Sequence, residues 1–163
     1  MANVIRFQPG ERGQAVIEFA LTLPLLLLTV MGIFDFGLMF QKYEAVTNAA
    51  REGARIGVLP GYAPADARAR ALDYMAVSGM TLMPSGSVAS CAGAFSAGRR
   101  CASAVLGTTT ITGSSPVITV NIITVTATYD YQYRFVGPIM SLFGGTLGNT
   151  RLTAVSTMRL EGS

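Results

Sequence analysis

The residues able to do chemistry are few, and the most telling stands near the N-terminus. Glu18 lies five residues after Gly13, and no further charge follows it until Asp35. An ionised carboxylate inside an apolar boundary costs about 2.5–3.5 kcal/mol on insertion scales, so it requires a partner. A cut after Gly13 would supply one. Gln14 would then carry a new α-amino group about one helical turn from Glu18, on the same chain or on a neighbouring copy. In low dielectric such a pair is far stronger than in water. Between copies it would fix the register of helices in an assembly.

The other reactive types do not assemble into a catalytic set. The chain has no histidine to move a proton. Asp130 and Glu161 stand alone, and no nucleophile elbow, phosphate loop or dinucleotide fingerprint is present. Gly144–Asn149 is glycine-rich but reads as a loop. The expectation is a protein that is not an enzyme and needs no cofactor. Cys91 and Cys101 are the only cysteines, and two thiols without histidine make a poor metal site. If they lie outside the cytoplasm, they form a disulfide closing a loop of about ten residues, worth about 2–3 kcal/mol.

The element that positions Glu18 is an apolar helix. Between Glu18 and Asp35 the charge-free run spans roughly 24 Å at 1.5 Å per residue. A bilayer core of about 30 Å needs about 20 residues, so the span extends past Asp35 to Phe40. About residues 15–40 read as a transmembrane helix with an acid near each end. Leu25–Leu28, flanked by Val30, Met31, Ile33 and Phe34, are apolar all round rather than on one stripe, which argues against a buried core helix. Met31–Asp35 offers no small-residue cleavage site, which argues against a secretory signal. Pro24 removes one backbone bond and leaves the Ala20 carbonyl short of a donor. It is either an ordinary kink or a weak point where the helix unwinds on leaving the bilayer.

Composition agrees with one anchor and one small domain. Of 163 residues half are apolar and only 13% are charged, with a net charge of +3 and a mean hydropathy of +0.45. No basic patch interleaves with aromatics, so a nucleic-acid partner is not expected. Arg6, Arg12 and the start amine place the N-terminus in the cytoplasm by the positive-inside rule, with Lys42, Arg51 and Arg55 as the countersignal.

Residues 41–59 continue the helix beyond the membrane. Ala49, Gly53 and Gly57 recur every fourth residue, as do Ala50, Ala54 and Val58. Small residues at this spacing admit a second backbone, from another subunit or from the chain's own sheet domain. Pro64 to Ser78 read as a second helix capped by Gly79, with an apolar stripe at Ala65, Ala69, Leu72 and Ala76 and an Asp66–Arg70 pair. From Val105 the period changes to two. Strands are expected at Val105–Thr112, at Val117–Phe135 with a bulge or bend at Ile122–Ile123, and at Leu152–Leu160. Gly113–Pro116 reads as a turn, and 138–149 as a loop with an apolar patch at Ile139, Met140, Leu142 and Phe143. Tyr129, Tyr131 and Tyr133 form a row that is either a half-buried sheet face against a helix or a stripe for binding carbohydrate or peptide.

Gly13 followed by Glu18-Phe19 at the head of an apolar helix resembles the processing site of type IV prepilins of the Flp/Tad class. The longer string Arg12–Leu21, Pro24, Gly32, Asp35-Phe36-Gly37 and Thr47–Arg55 resembles TadE-like pseudopilins. This covers about residues 12–58. The resemblance implies an α+β, pilin-like fold: a long N-terminal transmembrane helix running into a small antiparallel sheet domain. It divides the chain into a cleaved cytoplasmic leader (1–13), the helix (14–59) and an extracytoplasmic α+β domain (60–163). It further implies a minor pilin of a Tad-type pilus, cut at Gly13–Gln14 by a prepilin peptidase. Glu18, Phe19 and Pro24 would serve assembly and register. The implied partners are the lipid bilayer of the inner membrane, the assembly platform, the major Flp-type pilin and other pseudopilins. The alternative reading is a permanently anchored periplasmic binding or adhesion module that uses the tyrosine face.

Overall fold

The computed structural model describes residues 11–80, 91, 93, 94, 96–111, 118–142, 144, 145 and 148–160. The leader up to Gly10, the turn expected at Gly113–Pro116, Phe143 and Glu161 lie outside them. A single helix, α1 (Glu11–Gly57, 47 residues), dominates the chain, about 70 Å long at 1.5 Å per residue. It runs unbroken through Pro24, and backbone bonds from Val58 to Ala54 and Leu59 to Ile56 close its last turn. Then come α2 (Pro64–Val77), β1 (Arg100–Ile111), β2 (Ile118–Gln132), the short α3 (Val136–Leu142) and β3 (Asn149–Arg159). The strands form one antiparallel sheet in the order β1-β2-β3. The architecture is α+β, with the C-terminal half of α1 laid on the sheet beside α2.

The core lies between these layers. Val46, Ala49, Ala50 and Ala54 of α1, Ala67, Ala71 and Met75 of α2, and Ile123, Val125 and Ala127 of β2 are all essentially inaccessible. Gly53 and Gly57 make the approach possible. A Cβ on Gly53 would lie 2.7 Å from the Ala67 carbonyl oxygen and 3.0 Å from the Ala71 methyl. One on Gly57 would collide with Ile123 Cδ1. The Ala49–Gly53–Gly57 face is therefore occupied by the chain's own α2 and sheet.

That packing explains one departure from the sequence expectation. The buried stripe of α2 is Ala67, Ala71 and Met75, while Ala65, Ala69 and Ala76 are exposed and Leu72 lies at the edge. Alanines on several sides give α2 little intrinsic polarity of face. The choice is made by the fit of the Ala67 and Ala71 methyls over the two glycines. The expected Asp66–Arg70 pair is also replaced. Asp66 accepts the Ala63 N–H at 2.8 Å, capping the helix start, and Arg70 reaches Glu52 of α1 at 3.0 Å. At the other end Gly79, at φ +70°, closes α2, with the Met80 N–H donating to the Met75 carbonyl.

The expected bulge at Ile122–Ile123 is absent. Pairing is one to one on both sides, Gly107 with Ile122 and Leu106 with Ile123, then Ile122 with Arg159 and Ile123 with Met158. The apolar phase switches because helical cover ends there: Gly57, the last residue of α1, meets Ile123. Beyond that point the other face, with Val120, carries the apolar side chains. β1 starts at Arg100, earlier than expected. The segment expected as a loop after residue 138 begins instead as helix α3. Pro138 sits in its first turn, where no intrahelical N–H is needed.

Candidate functional site

The first helix divides into two stretches with different surroundings. From Gly13 to Val30 every residue is exposed, including Val16, Ile17, Phe19 and the leucines, and the first contact with the domain comes at Met31 and Gly32. The helix Gly13–Gly57 reaches a mean hydropathy of 2.2 over its most apolar 18 residues and is long and apolar enough to cross a membrane. Its hydroxyls are satisfied within the helix. Thr22 donates to the Glu18 carbonyl at 3.0 Å and Thr29 to the Leu25 carbonyl at 2.9 Å, as an apolar surrounding requires.

Gly13, Gln14, Glu18, Phe19 and Pro24 all lie on this exposed stretch. They share no contact with the domain. Among the described residues the Glu18 carboxylate has no cationic partner. The remaining residues singled out from sequence serve the domain: Ala49, Gly53 and Gly57 in the core, and Cys91 and Cys101 in a disulfide with Cα atoms 5.7 Å apart.

The junction between the two stretches was not legible beforehand. Asp35, expected as the acid at the outer end of the span, is fully buried. Its carboxylate accepts three backbone N–H groups: Arg134 at 3.0 Å, Phe135 at 2.9 Å and Val136 at 2.7 Å. Those are the donors left over at the start of α3, so Asp35 caps that helix from about 100 residues away in the chain. Tyr131 donates to the Asp35 carbonyl at 3.2 Å. The apolar stretch that is exposed on every side therefore ends before Asp35. From Met31 one side of it belongs to the domain, while Phe34, Phe36 and Phe40 remain exposed on the other.

The tyrosine row packs against this junction. Tyr129 and Tyr131 are 9% and 6% exposed. Tyr131 and Tyr133 meet edge to face with centroids 5.3 Å apart, and Tyr133 meets Phe36 at 5.9 Å. Tyr133 also donates to Met39 Sδ at 3.2 Å. Burial pushes the Tyr129 and Tyr131 hydroxyls up in pKa. A cleft of about 630 Å³ is lined by Tyr129, Tyr131 and Tyr133 together with Lys42, Gln132 and Arg134. Lys42 is already engaged with the Ser78 carbonyl at 2.8 Å, tying α1 to the end of α2.

Asp130, which looked isolated in sequence, is the best-connected acid of the domain. Its carboxylate is 1% exposed. It meets Arg151 at 2.6 and 3.1 Å, Arg99 at 3.2 Å and the Ser96 N–H at 2.9 Å. Burial opposes its ionisation, but the arginines and the Ser96 N–H prevail and hold it below the usual carboxylate range. Arg151 also donates to the Gly93 carbonyl at 3.1 Å. The disulfide loop is thus pinned to the sheet twice, covalently at Cys101 and ionically at Asp130. Glu52, between Arg55 and Arg70, is lowered to about 2, chiefly by hydrogen bonds from those two guanidinium groups. Among the described residues no group of three or more His, Cys, Asp or Glu side chains could hold a metal ion.

Comparison with known proteins places the helix. No curated protein and no solved structure matches the chain. The family model described as TadE-like protein matches residues 13–55, a stretch that ends in the last turn of α1. Over this helix the chain is similar to TadE-like proteins.

Proposed function

We propose that the chain is a minor pilin of a Tad-type pilus, a structural subunit rather than an enzyme. The observation that carries the reading is the free apolar stretch Gly13–Val30, unpaired with its own domain and matched by the TadE-like family. A helix apolar on every side needs lipid or other helices around it. As a subunit in waiting it is surrounded by the inner membrane. In an assembly the same surface packs on other pilin helices, those of the major Flp-type pilin and other pseudopilins. The domain lies outside the cytoplasm, where its disulfide persists.

A prepilin peptidase cuts Gly13–Gln14 and frees the Gln14 amine. Glu18, the one exposed charge within this stretch of the helix, then pairs with that amine on its own chain or on a neighbour at the assembly platform. Phe19 packs beside it, and Pro24 gives the helix a place to unwind as it leaves the bilayer. The alternative of an anchored binding module fits less well, because Tyr129 and Tyr131 are only 9% and 6% exposed.

The test has two parts. Peptide mapping of the protein from its native membrane should find Gln14 as the first residue. Glu18→Ala should still insert and be cut, yet fail to support piliation. A chain that starts at Met1 or Ala2 would remove the processing step, and normal piliation with Glu18→Ala would remove the pairing.

A further inference from the structure

Resting on the membrane reading above, we propose that α3 is a membrane-surface helix: it sits in the outer interface of the bilayer, its occupant being lipid rather than a protein partner. The depth follows from α1. Gln14 to Asp35 is about 31 Å along a helix, the thickness of a hydrocarbon core of about 30 Å. With Gln14 at one boundary, Asp35 lies at the other. α3 is held at that level by the three N–H bonds to Asp35. Val136 reaches still lower, to within 4.0 Å of a Cβ position on Gly32. The domain therefore cannot stand clear of the membrane: the fully free stretch, Gly13–Val30, covers only about 27 Å at 1.5 Å per residue.

The chemistry of the segment suits that depth. No charged residue occurs between Arg134 and Arg151. Phe135 is 40% exposed, and Ile33, Phe34, Phe36 and Phe40 of α1 are exposed at the same level. Backbone groups that reach the edge of the hydrocarbon need internal partners, and the two ends of α3 have them. Asp35 takes the donors at the start of α3. At its end the Gly145 N–H donates to Met140 at 2.8 Å and the Gly144 N–H to Ser141 at 3.2 Å. Ser141 Oγ donates to the Pro138 carbonyl at 2.7 Å. Arg134, exposed at the start of the segment, supplies a cation at the level of the headgroup phosphates.

The chain contains no tryptophan, so single Trp variants report depth without background. Phe135→Trp, at the residue before α3, and Ile139→Trp, inside it, serve as the α3 reporters and would be compared in the full chain, reconstituted in phosphatidylcholine–phosphatidylglycerol vesicles containing lipids brominated either near the headgroup or near the chain end. Leu26→Trp reports the span, and Tyr62→Trp reports the far end of the domain, about 37 Å along α1 from the level of Gly32. Bromines near the headgroup should quench at least one of the two α3 reporters severalfold more than Tyr62→Trp, with blue-shifted emission. Quenching of Leu26→Trp with both α3 reporters indistinguishable from Tyr62→Trp would overturn the surface helix and leave the span intact. Loss of quenching at Leu26→Trp would overturn the membrane reading itself and the surface helix with it.

Discussion

Replacing Asp35 by alanine should loosen the domain from the helix that carries it. The carboxylate satisfies three buried or half-buried N–H groups at 2.7–3.0 Å. Leaving one buried donor unsatisfied costs about 1–3 kcal/mol, which would give several times that for three. The start of α3 can fray and recover water, so the loss falls below the sum, while a lone cap residue is worth up to about 2 kcal/mol. The expected cost is about 2–4 kcal/mol. With a urea slope of about 2 kcal/mol per molar, the midpoint drops by roughly 1–2 M. Amide exchange locates the effect. The Arg134, Phe135 and Val136 amides should lose about 30- to 1000-fold in protection, at tenfold per 1.4 kcal/mol. The core amides of Ile123 and Val125 should follow only the global change. Asp35→Asn keeps one acceptor oxygen and should lose roughly half as much. Unfolding of Asp35→Ala within about 0.5 kcal/mol of the parent, the usual range for surface changes, with those three amides still protected, would refute the cap.

Other outcomes follow from the same geometry. Gly53→Ala should destabilise more than Gly57→Ala in urea unfolding. The first pushes a methyl onto the Ala67 backbone carbonyl and the second onto the movable end of Ile123, with overpacking of this kind costing about 1–3 kcal/mol. Reducing the Cys91–Cys101 bridge, which closes a separation of ten residues, should cost about 2–3 kcal/mol in the same assay. Acid should weaken the fold through Asp130 and Glu52. Both folded carboxyls titrate below their unfolded values, so their stabilisation is complete above about pH 4.5 and is lost as pH falls through the folded pKa, about 2 for Glu52. The Asp130→Asn and Glu52→Gln variants should each show a flatter stability-against-pH curve below that point; an unchanged curve would exclude the group concerned.

The long helix was readable from sequence because its signals are local: an uninterrupted apolar run, then small residues at every fourth position. The ends of α2 were readable for the same reason, since Pro64 and Gly79 act within one turn. What escaped depended on partners far along the chain. Asp35 looked like a boundary charge because nothing within a helical turn of it hints at Arg134–Val136. Asp130 looked solitary because Arg99 precedes it by a whole strand and Arg151 sits on the next one. The wrong face of α2 was favoured because alanines surround it, and only the glycines of α1 break the tie. The Ile122–Ile123 doublet suggested a bulge, but a doublet is also what a regular strand shows where helical cover stops. At the expected processing site, sequence carried the argument unaided: the fold leaves Gly13, Gln14 and Glu18 exposed and, among the described residues, adds no partner to them.

The division of α1 at Met31 has a consequence for how relatives of this chain should vary. Above it, each small residue answers to a neighbour in the same polypeptide, so a larger side chain at position 53 or 57 calls for a matching reduction at 67, 71 or 123. Below it no side chain is covered by the chain's own domain, so under the proposed pilin role compensation should appear in separate genes. Under that role one helix records two histories: the upper part a domain's private fit, the lower part a fit shared between subunits.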